Sequence, residues 1–340
     1  MCKSQNKLSA GKLAPELLES VVLSNTGAKR PEVLVPAAFG EDCAVIDVGA
    51  DLLVVSTDPI TAATIDAGSL VVHVSCNDVA ASGAEPFAML LTVMVPVGTS
   101  LEWVESVMRQ VSNTADSLGV QIVGGHTEVT PGLTSPVLSG TVLGRAKPGQ
   151  LVKSGGAKPK DALLLTRAAG IEGTAILAAD YADWSKQVLG EEAHLRALAM
   201  GSEISVVSHA RIARDNGATA MHDVTEGGVL GAAYEMAQAS GCGVVVEARN
   251  VPVRPETKVL CEELGIDPLR LISSGCLLIA TPTPQRVLNA LSSHVDCAVI
   301  GRFVAEESAV RYADRTQELR PPEGDELWRA KHILGDASDC

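Results

Sequence analysis

Aromatic side chains are scarce in this chain: Phe, Tyr and Trp make up 3% of 340 residues. A protein that holds single-stranded nucleic acid needs aromatic stacking platforms, so this composition argues against that class. Basic charge is short too. Lys and Arg number 27 against 41 Asp and Glu, leaving a net charge of −14. Such a surface repels phosphate backbones and anionic membranes, though it admits a small nucleotide screened by a cation. Among eight cysteines there is no Cys-x-x-Cys pair and no Cys/His run with zinc spacing. Cys43, Cys76, Cys242, Cys276 and Cys297 sit in small or apolar contexts, where a free thiol acts as a small hydrophobe. That usage fits a reducing, cytoplasmic setting. The longest apolar run, Phe87 to Val97, is too short and too interrupted by proline to span a bilayer. The opening residues Met1 to Lys7 carry no apolar signal core. The expectation is a cytoplasmic protein with no nucleic-acid and no membrane partner.

What is present is ordinary for a globular enzyme: 46% hydrophobic and 20% charged residues. The length predicts two domains. A core of Val, Leu, Ile and Ala suits an α/β fold. Periodicity predicts a helix from Leu13 to Leu23, then strands at 43–48, 52–57, 87–95, 120–123 and 137–144. Helices are expected at 68–82 and 100–118. The stretch Gly155 to Asp161 has Gly, Pro and Lys without apolar periodicity, so the domains are read as 1–154 and 155–340. The second half repeats the grammar. Strands are expected at 162–166, 243–248, 276–281 and 296–301. Helices are expected at 173–181, 186–199, 203–216, 255–264 and 284–292, with another opened by Met221 to Gly228 and ending near 240.

The chemistry concentrates in carboxylates at strand ends. Gly40-Glu41-Asp42-Cys43, then Ser56-Thr57-Asp58, then Asn77-Asp78 each place acid beside an apolar run. Carboxylates that converge on one sheet edge repel each other unless a cation sits among them. Mg²⁺ is the usual cation for such oxygen ligands and arrives with phosphates. Singly, each acid also reads as turn punctuation. Asn77 and Asp78 are harder to dismiss, because they fall inside an alanine-rich helix with no packing use for them. Gly124-Gly125-His126-Thr127-Glu128 follows a strand and reads equally as a tight turn or a close-approach ligand loop. Gly170-x-x-Gly173 reads better as a strand-to-helix turn than as a phosphate cradle, since Glu172 would repel an anion. Asp223-Val224-Thr225-Glu226-Gly227-Gly228 is a further carboxylate–glycine turn, in which Asp223 also reads as merely an N-cap or a capping-box partner of Glu226.

Together these motifs resemble the superfamily of aminoimidazole ribonucleotide (AIR) synthetase, selenophosphate synthetase, thiamine-monophosphate kinase and the hydrogenase-maturation protein HypE. Gly40 to Val45 is similar to its Gly-Asp-Asp-Ala-Ala-Val signature, and Asn77 to Pro86 to its Asn-Asp-x-x-x-x-Gly-Ala-x-Pro segment. Gly124 to Glu128 resembles its Gly-Gly-Asp/Glu/His-Thr turn. The run Asp223 to Gly228, with Ala239 to Gly243, Val251 to Arg254 and Cys261 to Leu269, follows the HypE-like branch.

The resemblance implies a two-domain PurM-like α/β fold whose amino-terminal sheet forms a shared barrel across a homodimer. It implies ATP and Mg²⁺ as cofactors, with metal on Asp42, Asp58 and Asp78. Gly40, Glu41, Asn77, Gly124, Gly125, His126, Thr127 and Glu128 would bind the nucleotide. Asp78, Asp223 and Thr225 would carry catalysis. The implied activity is phosphoryl transfer to an oxygen of a small amide or carboxamide, free or protein-borne, in hydrogenase maturation with a possible maturation partner. The alternatives are a non-catalytic nucleotide-binding scaffold and a small-molecule kinase. Three departures from HypE stand out. The Pro-Arg-Ile-Cys tail is replaced by Gly335 to Cys340, Glu226 stands where the branch has Arg, and Ser274-Gly275 stands where it has Glu-Gly.

Overall fold

The protein, described here by a computed structural model, is defined over residues 15–26, 29–61, 66–322 and 324–335. Cys340 and the start of the expected first helix lie outside the described residues. Its helical turns run on as α1 (Pro15–Leu17), a π turn (Leu18–Val22) and a 3₁₀ turn (Leu23–Asn25), with no buried residue.

The first half builds β1 (Val33–Val35), β2 (Ala44–Asp47), β3 (Leu52–Ile60), α2 (Ala67–Ala81), β4 (Glu85–Val95), α3 (Leu101–Leu118), β5 (Gln121–Val129) and β6 (Val137–Ala146). The strands form one sheet in the order β1-β2-β3-β6-β4-β5. All neighbours are antiparallel except β4 and β5, where Leu91 pairs with Gly125. α2 and α3 cover one face, burying Val71, Val79, Met89, Val107 and Val142 in one core. α2 sits close because β6 is glycine-punctuated. A Cβ at Gly144 would lie 2.2 Å from Val79, and one at Gly140 2.6 Å from Ser75. The other face alternates outward and is only partly covered, with Phe87 and Leu90 exposed.

The second half builds β7 (Ala162–Thr166), α4 (Ile171–Asp180), α5 (Ala182–Leu189), α6 (Glu191–Ala199), α7 (Val207–Asp215), β8 (Ala220–Val224) and α8 (Gly228–Ser240). It continues with β9 (Gly243–Glu247), α9 (Pro255–Leu264), β10 (Cys276–Thr281), α10 (Pro284–Leu291), β11 (Cys297–Val304), β12 (Ala309–Arg311), β13 (Thr316–Glu318) and α11 (Glu326–Leu334). Its sheet runs β13-β12-β9-β11-β7-β10-β8. Leu163 and Leu165 of β7 face a core with Leu230 and Met236 of α8. Leu164 faces the opposite core, with Ala210 of α7 and Val287 of α10. Burial on both faces explains the unbroken apolar run of β7. Ala80 and Ala81, at the end of α2, join that opposite core and tie the two halves together.

Several expectations are corrected. Gly124-Gly125 is no turn: both lie inside β5, which continues to Val129. At Gly125, φ is +145° and a Cβ would fall 1.8 Å from the Leu91 carbonyl oxygen, so glycine is required for strand contact. Met221 to Val224 is a fully buried strand, and its helix starts only at Gly228. The expected helix at 186–199 breaks at Gly190. Among the described residues no barrel closes: the first sheet is open, with β1 and β5 at its edges.

Candidate active site

The acidic residues do converge. Asp42 precedes β2, Asp58 lies on β3, Asp78 on α2 and Asp223 on β8. Ser56 donates to Asp78 Oδ2 at 2.5 Å and to the Asp42 carbonyl at 3.2 Å. Asp58 and Asp78 are hydrogen-bonded through their carboxyls. From the link between the two halves, Ser154 donates to Asp42 Oδ2 at 3.0 Å. Ligand atoms of Asp42, His222 and Asp223 lie within 4.8 Å of one another.

His222 is the centrepiece that sequence reasoning missed. Its Nδ1 lies 2.8 Å from Asp42 Oδ1, an ion pair whose angle falls short of a directed hydrogen bond. Its Nε2 lies 3.2 Å from Glu235 Oε2 on α8, and Asp223 Oδ1 is 3.9 Å from Nδ1. Burial alone would lower the imidazole pKa, but the surrounding acids, Asp42 foremost, outweigh it and hold His222 protonated well above its usual range. The acids around it thus favour the protonated imidazole, and its ring nitrogens also lie within reach of an ion held by Asp42 and Asp223. A signal did exist: Glu235 is a lone carboxylate in an alanine-rich helix, the same oddity that marks Asp78.

Even so, carboxylates outnumber cations. Burial, followed by the charges of Asp223, Asp58 and Asp42, pushes the Asp78 carboxyl well above the ordinary carboxylate range. Burial likewise raises Asp42. Asp223 Oδ2 is buried without a hydrogen-bond partner. Hard oxygen donors in surplus, one of them orphaned, fit a divalent cation such as Mg²⁺. Glu41 stands at the edge, raised by burial and held by the backbone N–H groups of Gly155 and Ser154, with Lys153 nearby. Gly40, in a left-handed turn at φ +79°, packs against the Glu235 carbonyl; a Cβ would lie 2.7 Å from that oxygen.

Other expected residues lie apart from the cluster or are otherwise engaged. His126 and Glu128 are exposed on the edge strand β5 and pair with each other at 3.1 Å. Gly124, Gly125 and Thr127 share that exposed strand. The buried amide of Asn77 clamps the backbone of the second half: Nδ2 donates to the Ile204 carbonyl and Oδ1 accepts from the Val206 N–H, both at 2.8 Å. Thr225 is half-buried just past β8, where its carbonyl accepts from Gly228 N–H at 3.1 Å.

The fold and this centre define a two-domain α/β protein of the PurM type, with its acidic residues where the two halves meet. The chain belongs to the AIR synthase-related protein family: residues 40–146 match its amino-terminal domain and residues 158–313 its carboxyl-terminal domain. Carbamoyl dehydratase HypE of Rhodobacter capsulatus is 30% identical over 308 residues, covering 88% of each chain. The crystal structure of Escherichia coli HypE superimposes with a TM-score of 0.73 at 26% identity, over 88% of this chain and 95% of that one. A HypE solved in complex with ATP shares the fold, with a TM-score of 0.72 at 24% identity over 95% of this chain and 98% of that one.

Proposed function

We propose that this protein is an ATP-dependent enzyme that activates a carboxamide oxygen by phosphoryl transfer; its relative is named a carbamoyl dehydratase, and a HypE is solved in complex with ATP. The observation that carries the reading is the gathered set Asp42, Asp58, Asp78 and Asp223, with Asp78 and Asp223 buried and acid in excess of cation. These four would hold Mg²⁺, which supplies charge neutralisation at phosphate oxygens. Ser56, Ser154 and His222 fix the carboxylates in place, so little reorganisation is needed when a nucleotide arrives. Lys153, beside Glu41, offers a cation to an anion.

Chemically, the amide oxygen attacks the terminal phosphorus and ADP leaves. The O-phosphorylated carboxamide then loses phosphate together with its nitrogen-bound hydrogens, leaving a nitrile. The amide oxygen departs in the phosphate, and one proton is released. In the relative's setting the carboxamide is a carbamoyl group of hydrogenase maturation, and we extend that acceptor class to this chain. A second copy would cover the half-open sheet face around Phe87 and Leu90, bringing the exposed β5 residues His126 and Glu128 to an interface. Turnover of a carbamoyl thioester labelled with ¹⁸O at its carbonyl tests the reading. Phosphate carrying ¹⁸O by ³¹P NMR is expected. Unlabelled phosphate with the carbonyl label retained would overturn it.

A further inference from the structure

A cavity of about 510 Å³ opens in the second half and shares no lining residue with the acidic centre. Arg167, Glu203 and Arg254 form its polar wall, while Pro252, Val253 and Val295 form an apolar one. Its size falls within the range of small-molecule sites.

The polar wall is built with care. Arg254 grips Glu203 as a fork, Nη1 to Oε1 at 2.7 Å and Nη2 to Oε2 at 2.6 Å. Arg167 Nε lies 3.5 Å from the same carboxylate, and its Nη1 donates to the carbonyls of Ser205 and Gly275. Two guanidiniums thus face one carboxylate within the wall, and the carboxylate of Asp296 at the rim balances the second. Asp296 and His294 stand exposed at the rim.

Arg167 also holds a strained backbone, with φ at +59°, a region that non-glycine residues rarely occupy. Its N–H donates to the Asp296 carbonyl at 2.8 Å, which locks the conformation. Such strain tends to collect where a side chain must be aimed at a ligand. The loop that carries Glu203 is equally fixed. Asn77 clamps its next residues, and Gly275 packs so tightly beneath it that a Cβ would lie 2.2 Å from the Glu203 carbonyl oxygen.

We infer that this cavity binds an organic carboxylate: Glu203 holds, on the Arg254 fork, the place that the ligand's carboxylate takes. Glu203 turns to Arg167, and the apolar wall receives the ligand's body. Planar, two-pronged recognition of this kind is what arginine provides and lysine does not. The carboxylate belongs either to a free small molecule or to the end of a polypeptide. The site stands independently of the nucleotide reading, and its test uses no nucleotide.

The test is calorimetric titration of the full chain with hippurate, its neutral amide hippuramide, phenyl phosphate, and an acetylated hexa-alanine peptide with a free or amidated end. Hippurate or the free-ended peptide is expected to bind at least about tenfold more tightly than its amide. Preference for the peptide assigns a polypeptide end, and preference for hippurate assigns a small molecule. Arg254→Gln should weaken binding by about tenfold or more. Glu203→Gln should strengthen it, because the internal competitor is gone; a merely structural Glu203 would give no gain. Circular dichroism checks that both variants fold. Equal binding of acid and amide, tighter binding of phenyl phosphate, no binding of either acid at millimolar concentration, or no gain in Glu203→Gln would overturn the inference.

Discussion

Asp78 and Glu172 show how burial sets the behaviour of single residues here. Asp78 is held among like charges at a cost to the fold. Asp78→Asn keeps the shape without a buried acid that must either charge among like charges or hold a proton, so the metal-free variant should melt higher than the wild type. It should also lose about 2–4 kcal/mol of Mg²⁺-dependent transition-state stabilisation, read as a loss of ATP turnover. A variant that is less stable and equally active would contradict the assignment. Glu172 is buried at the start of α4, where Oε2 accepts from the Ser274 N–H at 3.0 Å. Burial raises its carboxyl from the ordinary 4.5 to about 7. The folded protein therefore keeps a proton that the unfolded chain releases. That contribution is complete below about pH 4.5 and is lost as pH rises through about 7. Glu172→Gln keeps the acceptor and removes the titration. Its stability relative to the wild type should grow across that window, by up to about 3 kcal/mol, in denaturant titrations at a series of pH values. A difference that stays flat with pH would refute the account.

At the scale of elements, glycines decide which contacts are possible. Gly125→Ala would drive a Cβ into the Leu91 backbone, so β5 should separate from β4 at a cost above about 2 kcal/mol. Gly149 has open space around it, and Gly149→Ala should be nearly neutral in the same melting experiment. Periodicity made β3, β4, α3 and β6 legible, because each has a partly covered face with a clear period; α2, buried almost all round, was legible from its small apolar run and the Gly and Pro that follow it. β8 was not legible as a strand. All five of its residues are buried, and His222 and Asp223 make it look like a polar turn. Gly124-Gly125 read as a turn because glycine's commoner use is conformational freedom; the close parallel contact with β4 is a tertiary fact. The four aspartates could be found from strand ends and from an acid in an alanine-rich helix. The His222–Glu235 and His222–Asp42 pairs could not, since they join elements distant in sequence. Asn77 stood out for the right reason, a polar residue in an apolar helix, but its amide serves the contact between the halves.

For the molecule as a whole, the first sheet keeps one face only partly covered, with Leu90 43% and Phe87 40% exposed. Burying that face against a second copy removes apolar area from water and protects the β5 edge. Light scattering at micromolar concentration should report a dimer, and Leu90→Lys should shift it toward monomer. A wild-type monomer would count against the shared barrel. Among the described residues, no helix is long and apolar enough to cross a membrane. Both halves meet at one acidic centre, which is expected to hold a metal-bound nucleotide. Anomalous scattering from crystals grown with Mn²⁺ and a non-hydrolysable ATP analogue locates that metal. Mn²⁺ should be bound by oxygens of the Asp42, Asp58, Asp78 and Asp223 set and touch the analogue's phosphates. Nucleotide seated elsewhere, with none of these aspartates contacting metal, would contradict that expectation.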